Sequence, residues 1–205
     1  MVLYLSIIGV CVAVIAGVVA PIYSVSFFYA LGTAVLAVLL VIIVDALVAT
    51  ICRLLPQKWA NHEKKLFTTS VKEKKFYEKI KIRKWKDAVP EIGQFTGFRK
   101  NKIADPNSVE YLDRFLLEIC YGELGHSLSL PSGFLILLLS PGTKIWFAVA
   151  IPVAIVNMLL NLPSLFILRY NSYKLEVLRK SVLKKQARKQ QAQSKALEEA
   201  ATSEA

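Results

Sequence analysis

Apolar residues fall into three long runs separated by strongly polar stretches. Residues 2–20, VLYLSIIGVCVAVIAGVVA, carry no charge and reach the length that crosses a bilayer as a helix. Pro21 to Ser26 reads as a turn, and residues 27–52 form a second run that ends at Arg53. The last run covers residues 145–168, with Pro152 and Pro163 as expected kinks. Helices are expected throughout, because lipid offers backbone N–H and C=O groups no partners and they must be satisfied within the segment. Residues 127–140 are also apolar but measure only roughly 21 Å as a helix. They suit a re-entrant hairpin or the far part of a broken helix from about residue 110 to 140, kinked at Pro131; the second reading is preferred. Asp105-Pro106-Asn107-Ser108 supplies its start, with Asn107 or Ser108 as cap and Glu110 in the first turn.

The polar stretches are patterned differently. Trp59 to Glu78 mixes charges with scattered apolar residues, as in a helix lying along a surface. Lys79 to Arg83 alternates basic and apolar residues, Trp85 follows, and Pro90, Gly93 and Gly97 break regular structure. Residues 172–200 read as a basic helix whose end, QARKQQAQSKALEEA, is poor in large apolar residues and is expected to fray. The fold class is all-α: an integral membrane helical bundle with about four membrane-crossing segments plus interfacial amphipathic helices. Its parts are an N-terminal hairpin (1–53), a basic interfacial region (54–112), a helix carrying chemistry with the C-terminal hairpin (113–171) and a basic tail (172–205). A cleaved leader is disfavoured, since no Lys or Arg precedes the first run and a second run follows directly.

Composition sharpens this picture. The chain of 205 residues is 55% hydrophobic with a mean hydropathy of +0.46, which excludes an ordinary soluble domain. Its net charge of +11 is uneven. Residues 1–52 hold one charged side chain, Asp45; residues 53–126 hold sixteen Lys/Arg against ten Asp/Glu; residues 169–205 hold nine against four. Basic surfaces beside apolar spans suit anionic head groups or phosphate-bearing substrates rather than nucleic acid. The positive-inside rule puts both basic regions and both termini in the cytoplasm of a multi-pass cell-membrane protein. Cys11, Cys52 and Cys120 are isolated, with no pairing or zinc spacing, and are expected as free thiols.

Candidate chemistry gathers in Asp113–Ser127, DRFLLEICYGELGHS. Glu123 and His126 are three apart and adjacent on a helix, so the carboxylate can hold one ring nitrogen and raise the basicity of the other. Glu118 is eight residues from His126, roughly 12 Å along the axis, so it binds a substrate hydroxyl or pairs with Arg83, Lys84 or Lys86. Alone, this pattern is weak and is usually structural. A di-iron site would need a second Glu-x-x-His, and none is present, so no metal is expected. Cys120 has no base placed beside it by helical spacing. Asp45 lies within the second run, where a carboxylate pairs with Arg53 or another helix, or lines a substrate pocket. Asn157 and Asn161 share a face and either pack against neighbouring helices or line that pocket. His62 is expected to be solvated or interfacial, since no partner is set by spacing.

Three blocks carry a family resemblance: KIKIRKWKDAVPEIGQFTGFRK (79–100), EYLDRFLLEICYGELGH (110–126) and NLPSLFILRYNSYKL (161–175). In order and spacing the chain resembles the glycosyl-4,4'-diaponeurosporenoate acyltransferase family of staphyloxanthin-type carotenoid synthesis. Glu118, Glu123 and His126 match its Glu-x4-Glu-x2-His; Asn161, Pro163, Arg169, Tyr170 and Asn171 match its Asn-x-Pro…Arg-Tyr-Asn. Tyr121 stands where the family commonly has Arg, Ser127 where an aromatic often follows the His, and Ser172 at the family's second arginine. The resemblance implies a membrane acyltransferase that esterifies the glucose 6-hydroxyl of a glycosylated C30 carotenoid acid. On that reading His126 is the base, Glu123 orients it, and Glu118, Asp45, Asn161, Arg169, Tyr170 and Asn171 support the pocket. Lys81, Arg83, Lys84 and Lys86 would bind phosphates of an acyl-CoA or acyl carrier protein donor, with Trp85 packed at the interface and no cofactor required. The alternatives are another glycolipid or polar membrane lipid as acceptor, or a non-catalytic protein that binds anionic lipid or partners.

Overall fold

The computed structural model describes residues 2–89 and 103–203. Pro90, Gly93, Gly97 and the rest of the glycine-containing segment lie outside them. Six α-helices follow in order: α1 (Val2–Ile22), α2 (Phe27–Leu54), α3 (Val71–Lys79), α4 (Ile82–Trp85), α5 (Val109–Ser132) and α6 (Trp146–Ser203); a 3-10 segment, Gly133–Leu139, continues α5. Among the described residues, four stretches are long and apolar enough to cross a membrane: Leu3–Ile22, Phe27–Leu54, Val109–Leu139 and Trp146–Ala196. The expected four-span, all-α bundle is what the chain forms.

Local signals set the helix ends. Ser26 caps α2, Ser70 caps α3 and Ser108 caps α5, each side chain accepting from the backbone N–H three residues on. The broken-helix expectation for residues 110 to 140 holds in a modified form. Pro131 sits within α5, which runs on to Ser132 before tightening to 3-10 geometry. The surface helix expected over Trp59–Glu78 is confined to α3; residues 56–70 are turns and irregular chain, held by Asn61 and Lys64 backbone bonds. The tail does not break from the last span. α6 is a single helix of 58 residues, roughly 87 Å long, so Arg169–Asn171 closes the apolar run without ending the helix.

The core has two characters. Toward the Tyr23–Ser26 and Ser140–Lys144 turns, which we call the loop end, α1 and α2 close on each other through Ala16, Ala30, Ala34 and Ala37, all fully buried. Small side chains let the two backbones approach, as is usual where lipid gives no hydrophobic drive to associate. Trp146 is buried against the same cluster and donates its Nε1–H to the Ile136 carbonyl at 3.2 Å. Toward the other, basic end, α5 packs along α6 through Leu112, Leu116, Ile119 and Leu175. Gly122 permits that approach: a Cβ there would lie 2.9 Å from Leu168.

Candidate active site

Depth along the helices comes first. About 30 Å of hydrocarbon measured from the loop end reaches roughly Leu47 on α2, Tyr121 on α5 and Phe166 on α6. Asp45, His126 and Asn161 therefore lie inside the apolar slab toward its basic end, Asn157 nearer its middle, Glu123 at its edge, and Arg169 just beyond it. An intramembrane carboxylate at Asp45 needs partners, because unpaired charge is costly there.

The partners come from α6. Asp45 Oδ2 accepts from Asn161 Nδ2 at 3.1 Å, and Asp45 Oδ1 accepts from Asn157 Nδ2 at 3.3 Å. Asn161 Nδ2 also reaches the Asn157 carbonyl and side-chain oxygens at 3.1 and 3.2 Å. With its amide nitrogen committed as donor, Asn161 presents only Oδ1 to α5. His126 Nδ1 lies 2.8 Å from that oxygen and must donate to it. A neutral His126 then carries its proton on Nδ1 and its lone pair on Nε2, a nitrogen with no hydrogen-bond partner among the described residues. The result is a carboxylate–amide–imidazole chain across α2, α6 and α5. Gly133 is the close-approach position that supports it: a Cβ there would stand 2.9 Å from Asn157 Nδ2.

The pairing expected between Glu123 and His126 is not formed. Glu123 is 2% exposed, and its Oε2 accepts from Arg169 at 3.1 Å. Its Oε1 is buried and without a hydrogen-bond partner among the described residues. Two residues three apart on α5 face different parts of α6: Asn161 takes His126, while Arg169, roughly 12 Å further along, takes Glu123. Arg169 also pairs with Glu73 through Nε and Nη2 and donates to the carbonyls of Leu66 and Thr68. It thereby ties α3 and the 56–70 chain to the bundle. Burial works to raise the Glu73 carboxyl, but hydrogen bonds from Arg169 and Tyr77 outweigh it and hold the group below the ordinary carboxylate range. Tyr77, donating to Glu73 at 2.5 Å, is pushed well above the usual phenol range by burial and by that carboxylate.

Glu118 does not pair with Arg83, Lys84 or Lys86. It pairs with Arg53 at 2.6 Å, at the end of α2. Arg53 also stands over the Tyr121 ring, and the Tyr121 hydroxyl donates to the Leu55 carbonyl at 3.0 Å. Tyr121 thus closes the end of α2, and Arg53 pairs with Glu118 rather than with Asp45. Cys120 is fully buried among Ala60, Phe67 and Leu124, closed to substrate. His62, expected to be solvated or interfacial and without a set partner, is instead held by carboxylates. Its side chain is only 13% exposed; Nδ1 contacts Glu176, Nε2 lies 3.9 Å from Asp113, and Asp113 pairs with Arg179.

Of the expected donor-binding residues, Lys81, Arg83 and Lys84 are exposed on and beside α4, with Lys86 half-buried near Asp87. Arg83 Nε donates to the Tyr170 hydroxyl at 2.7 Å, and Lys174 stands 4.5 Å from the Tyr170 ring centre. Tyr170 is fully buried and Asn171 nearly so. Trp85 is partly buried and packs on the Tyr77–Ile82–Tyr170 cluster, with its indole N–H bonded to the Ile80 carbonyl at 3.0 Å.

A family model described as glycosyl-4,4'-diaponeurosporenoate acyltransferase matches residues 56–181, more than half of the chain. The chain belongs to this family. It is an acyltransferase. No curated protein and no solved structure matches it. The part matched to the glycosyl-4,4'-diaponeurosporenoate acyltransferase family contains His126, Asn157, Asn161, Glu123, Arg169 and Glu73, but not Asp45. Sequence spacing missed Glu73 as the partner of Arg169, although Ser70-x-x-Glu73 has the spacing of a capping box and marks the start of α3. Nothing local marks the Asp45–Asn161 contact, which joins residues 116 positions apart.

Proposed function

We propose that the chain transfers a fatty acyl group from a thioester donor to the glucose 6-hydroxyl of a glycosyl-4,4'-diaponeurosporenoate, giving a staphyloxanthin-type ester. The observation that carries the reading is the bond from His126 Nδ1 to Asn161 Oδ1, backed by Asp45. It leaves Nε2 with a lone pair at the edge of the apolar slab, where a sugar at the head of a membrane lipid would sit. Nε2 takes the proton of the acceptor hydroxyl as its oxygen attacks the thioester carbonyl carbon. The new C–O bond forms, the C–S bond breaks, and the thiolate leaves with the proton returned from the imidazolium. Nδ1–H remains on Asn161 throughout, and Asp45 stabilises the transient positive ring through the amide.

The basic end faces the cytoplasm on this reading, in accord with the positive-inside rule, and meets a soluble acyl-CoA or acyl carrier protein. Arg83 and Lys174 around Tyr170, with Lys81 and Lys84 beside them, supply cations for the donor phosphates. The test is transfer in isolated membranes by His126→Ala, with lipid extracts compared by mass spectrometry. The expected result is loss of the acylated glycolipid at an unchanged protein level. A retained product overturns the assignment of His126, and a product built on another polar lipid replaces the acceptor.

A further inference from the structure

A shallow, open groove runs along α1, α2 and α6 between Ile8 and Ile15, Val38 and Ile42, and Val153 and Leu160. Its lining is aliphatic, with Cys11 on one wall and one amide, Asn157. That amide belongs to the chain described above, since its Nδ2 bonds Asp45 Oδ1 and lies 3.4 Å from the Ser129 carbonyl. One end of the groove therefore meets the candidate active site. Beside the same end, the Tyr4 hydroxyl donates to the Leu160 carbonyl and ties α1 to α6. Toward the loop end the groove stops where α1 and α2 close through the fully buried Ala16, Ala34 and Ala37. Seven residues of helix separate Ile8 from Ile15, giving a slot roughly 10 Å long.

We propose that this slot receives the part of the donor's acyl chain that lies next to the thioester. A flexible saturated chain fits an aliphatic slot with a polar mouth and a closed floor. The thioester carbonyl then sits at the level of Asn157 and His126, where the hydroxyl attacks. The proposal rests on the reading of His126 given above and adds the site of the acyl chain to it.

Two measurements test it on the full chain in membranes. Cys11→Phe places a ring in the slot, away from His126. Its transfer from a long-chain acyl-CoA should fall about tenfold or more, while transfer from a short-chain acyl-CoA stays within about twofold, since a lost methylene pocket discriminates by roughly this much per group. Equal rates from both donors relative to the native chain overturn the slot. Photolabelling of the native protein covers the case in which the variant fails to fold. A long-chain acyl-CoA with a mid-chain diazirine should mark residues 8–15, 38–42 or 153–160. Label confined to other segments, or equal label from a phospholipid bearing the same group, overturns the proposal. Loss of transfer in His126→Ala together with an unchanged donor profile in Cys11→Phe would sink the slot and leave the assignment of His126 intact. Transfer retained in His126→Ala would overturn the assignment of His126, and the donor profile of Cys11→Phe would then decide the slot separately.

Discussion

Two polar clusters lie about one helical turn apart on α5 and are built from opposite materials. At His126 one carboxylate, Asp45, is dispersed through two neutral amides to a ring whose far nitrogen is left open. At Glu123 a guanidinium is gripped by two carboxylates and two carbonyls. The first commits few groups and keeps a lone pair available; the second commits nearly all of them. The proposed chemistry therefore falls to the cluster inside the apolar slab, and the anchoring of α3 and the 56–70 chain to the cluster at its edge. Closeness on one helix does not make residues partners, because the facing helix decides which groups meet.

The sharpest way to break this contrast is at Arg169. Arg169→Ala leaves Glu123 buried without its cation and should destabilise the basic end by about 3–5 kcal/mol, read as a lowered unfolding midpoint in detergent. At the other cluster, Asp45→Asn removes the charge that polarises Asn161. It should slow transfer by about tenfold to a hundredfold, below the ~10²–10⁴ contribution of a general base itself, with a normal midpoint. Gly133→Ala crowds Asn157 and should give a smaller loss of rate, of about threefold to tenfold, through the same chain. Glu118→Gln should leave transfer within about twofold, because a partly exposed pair with Arg53 contributes about 0–1 kcal/mol.

Acid should act on the anchoring cluster. The folded carboxyl of Glu73 titrates below its unfolded value of about 4.3. Its stabilisation is thus present above that pH and is lost as pH falls through the folded value. Proteolysis of the 56–70 chain in membranes should rise in acid, and Glu73→Gln should flatten that rise. A slope unchanged by Glu73→Gln would remove Glu73 from the account.

Much of the frame was legible in the sequence, for a plain reason. A bilayer imposes length and apolarity locally, so the runs at 2–20, 27–52 and 145–168 announce spans, and Ser108 announces α5. The site was legible in its members but not in its pairings. His126, Asn161, Asp45, Glu123 and Arg169 all stood out as polar groups beside or within apolar segments. Helical spacing then joined Glu123 to His126, because spacing sees one helix at a time. The register of α6 against α5 places Asn161 at one and Arg169 at the other, and that register is a property of packing through Gly122 and Gly133. His62 shows the same limit: its partners Asp113 and Glu176 come from two other helices.

The most direct test sets the two clusters against each other in one assay. Initial rates of acyl transfer are measured in isolated membranes for His126→Ala and Glu123→Gln at matched protein levels. The account predicts a loss of about a hundredfold or more for His126→Ala, and a Glu123→Gln rate within a few-fold of the native chain. Full activity in His126→Ala, or an inactive Glu123→Gln protein with a normal unfolding midpoint, would contradict it.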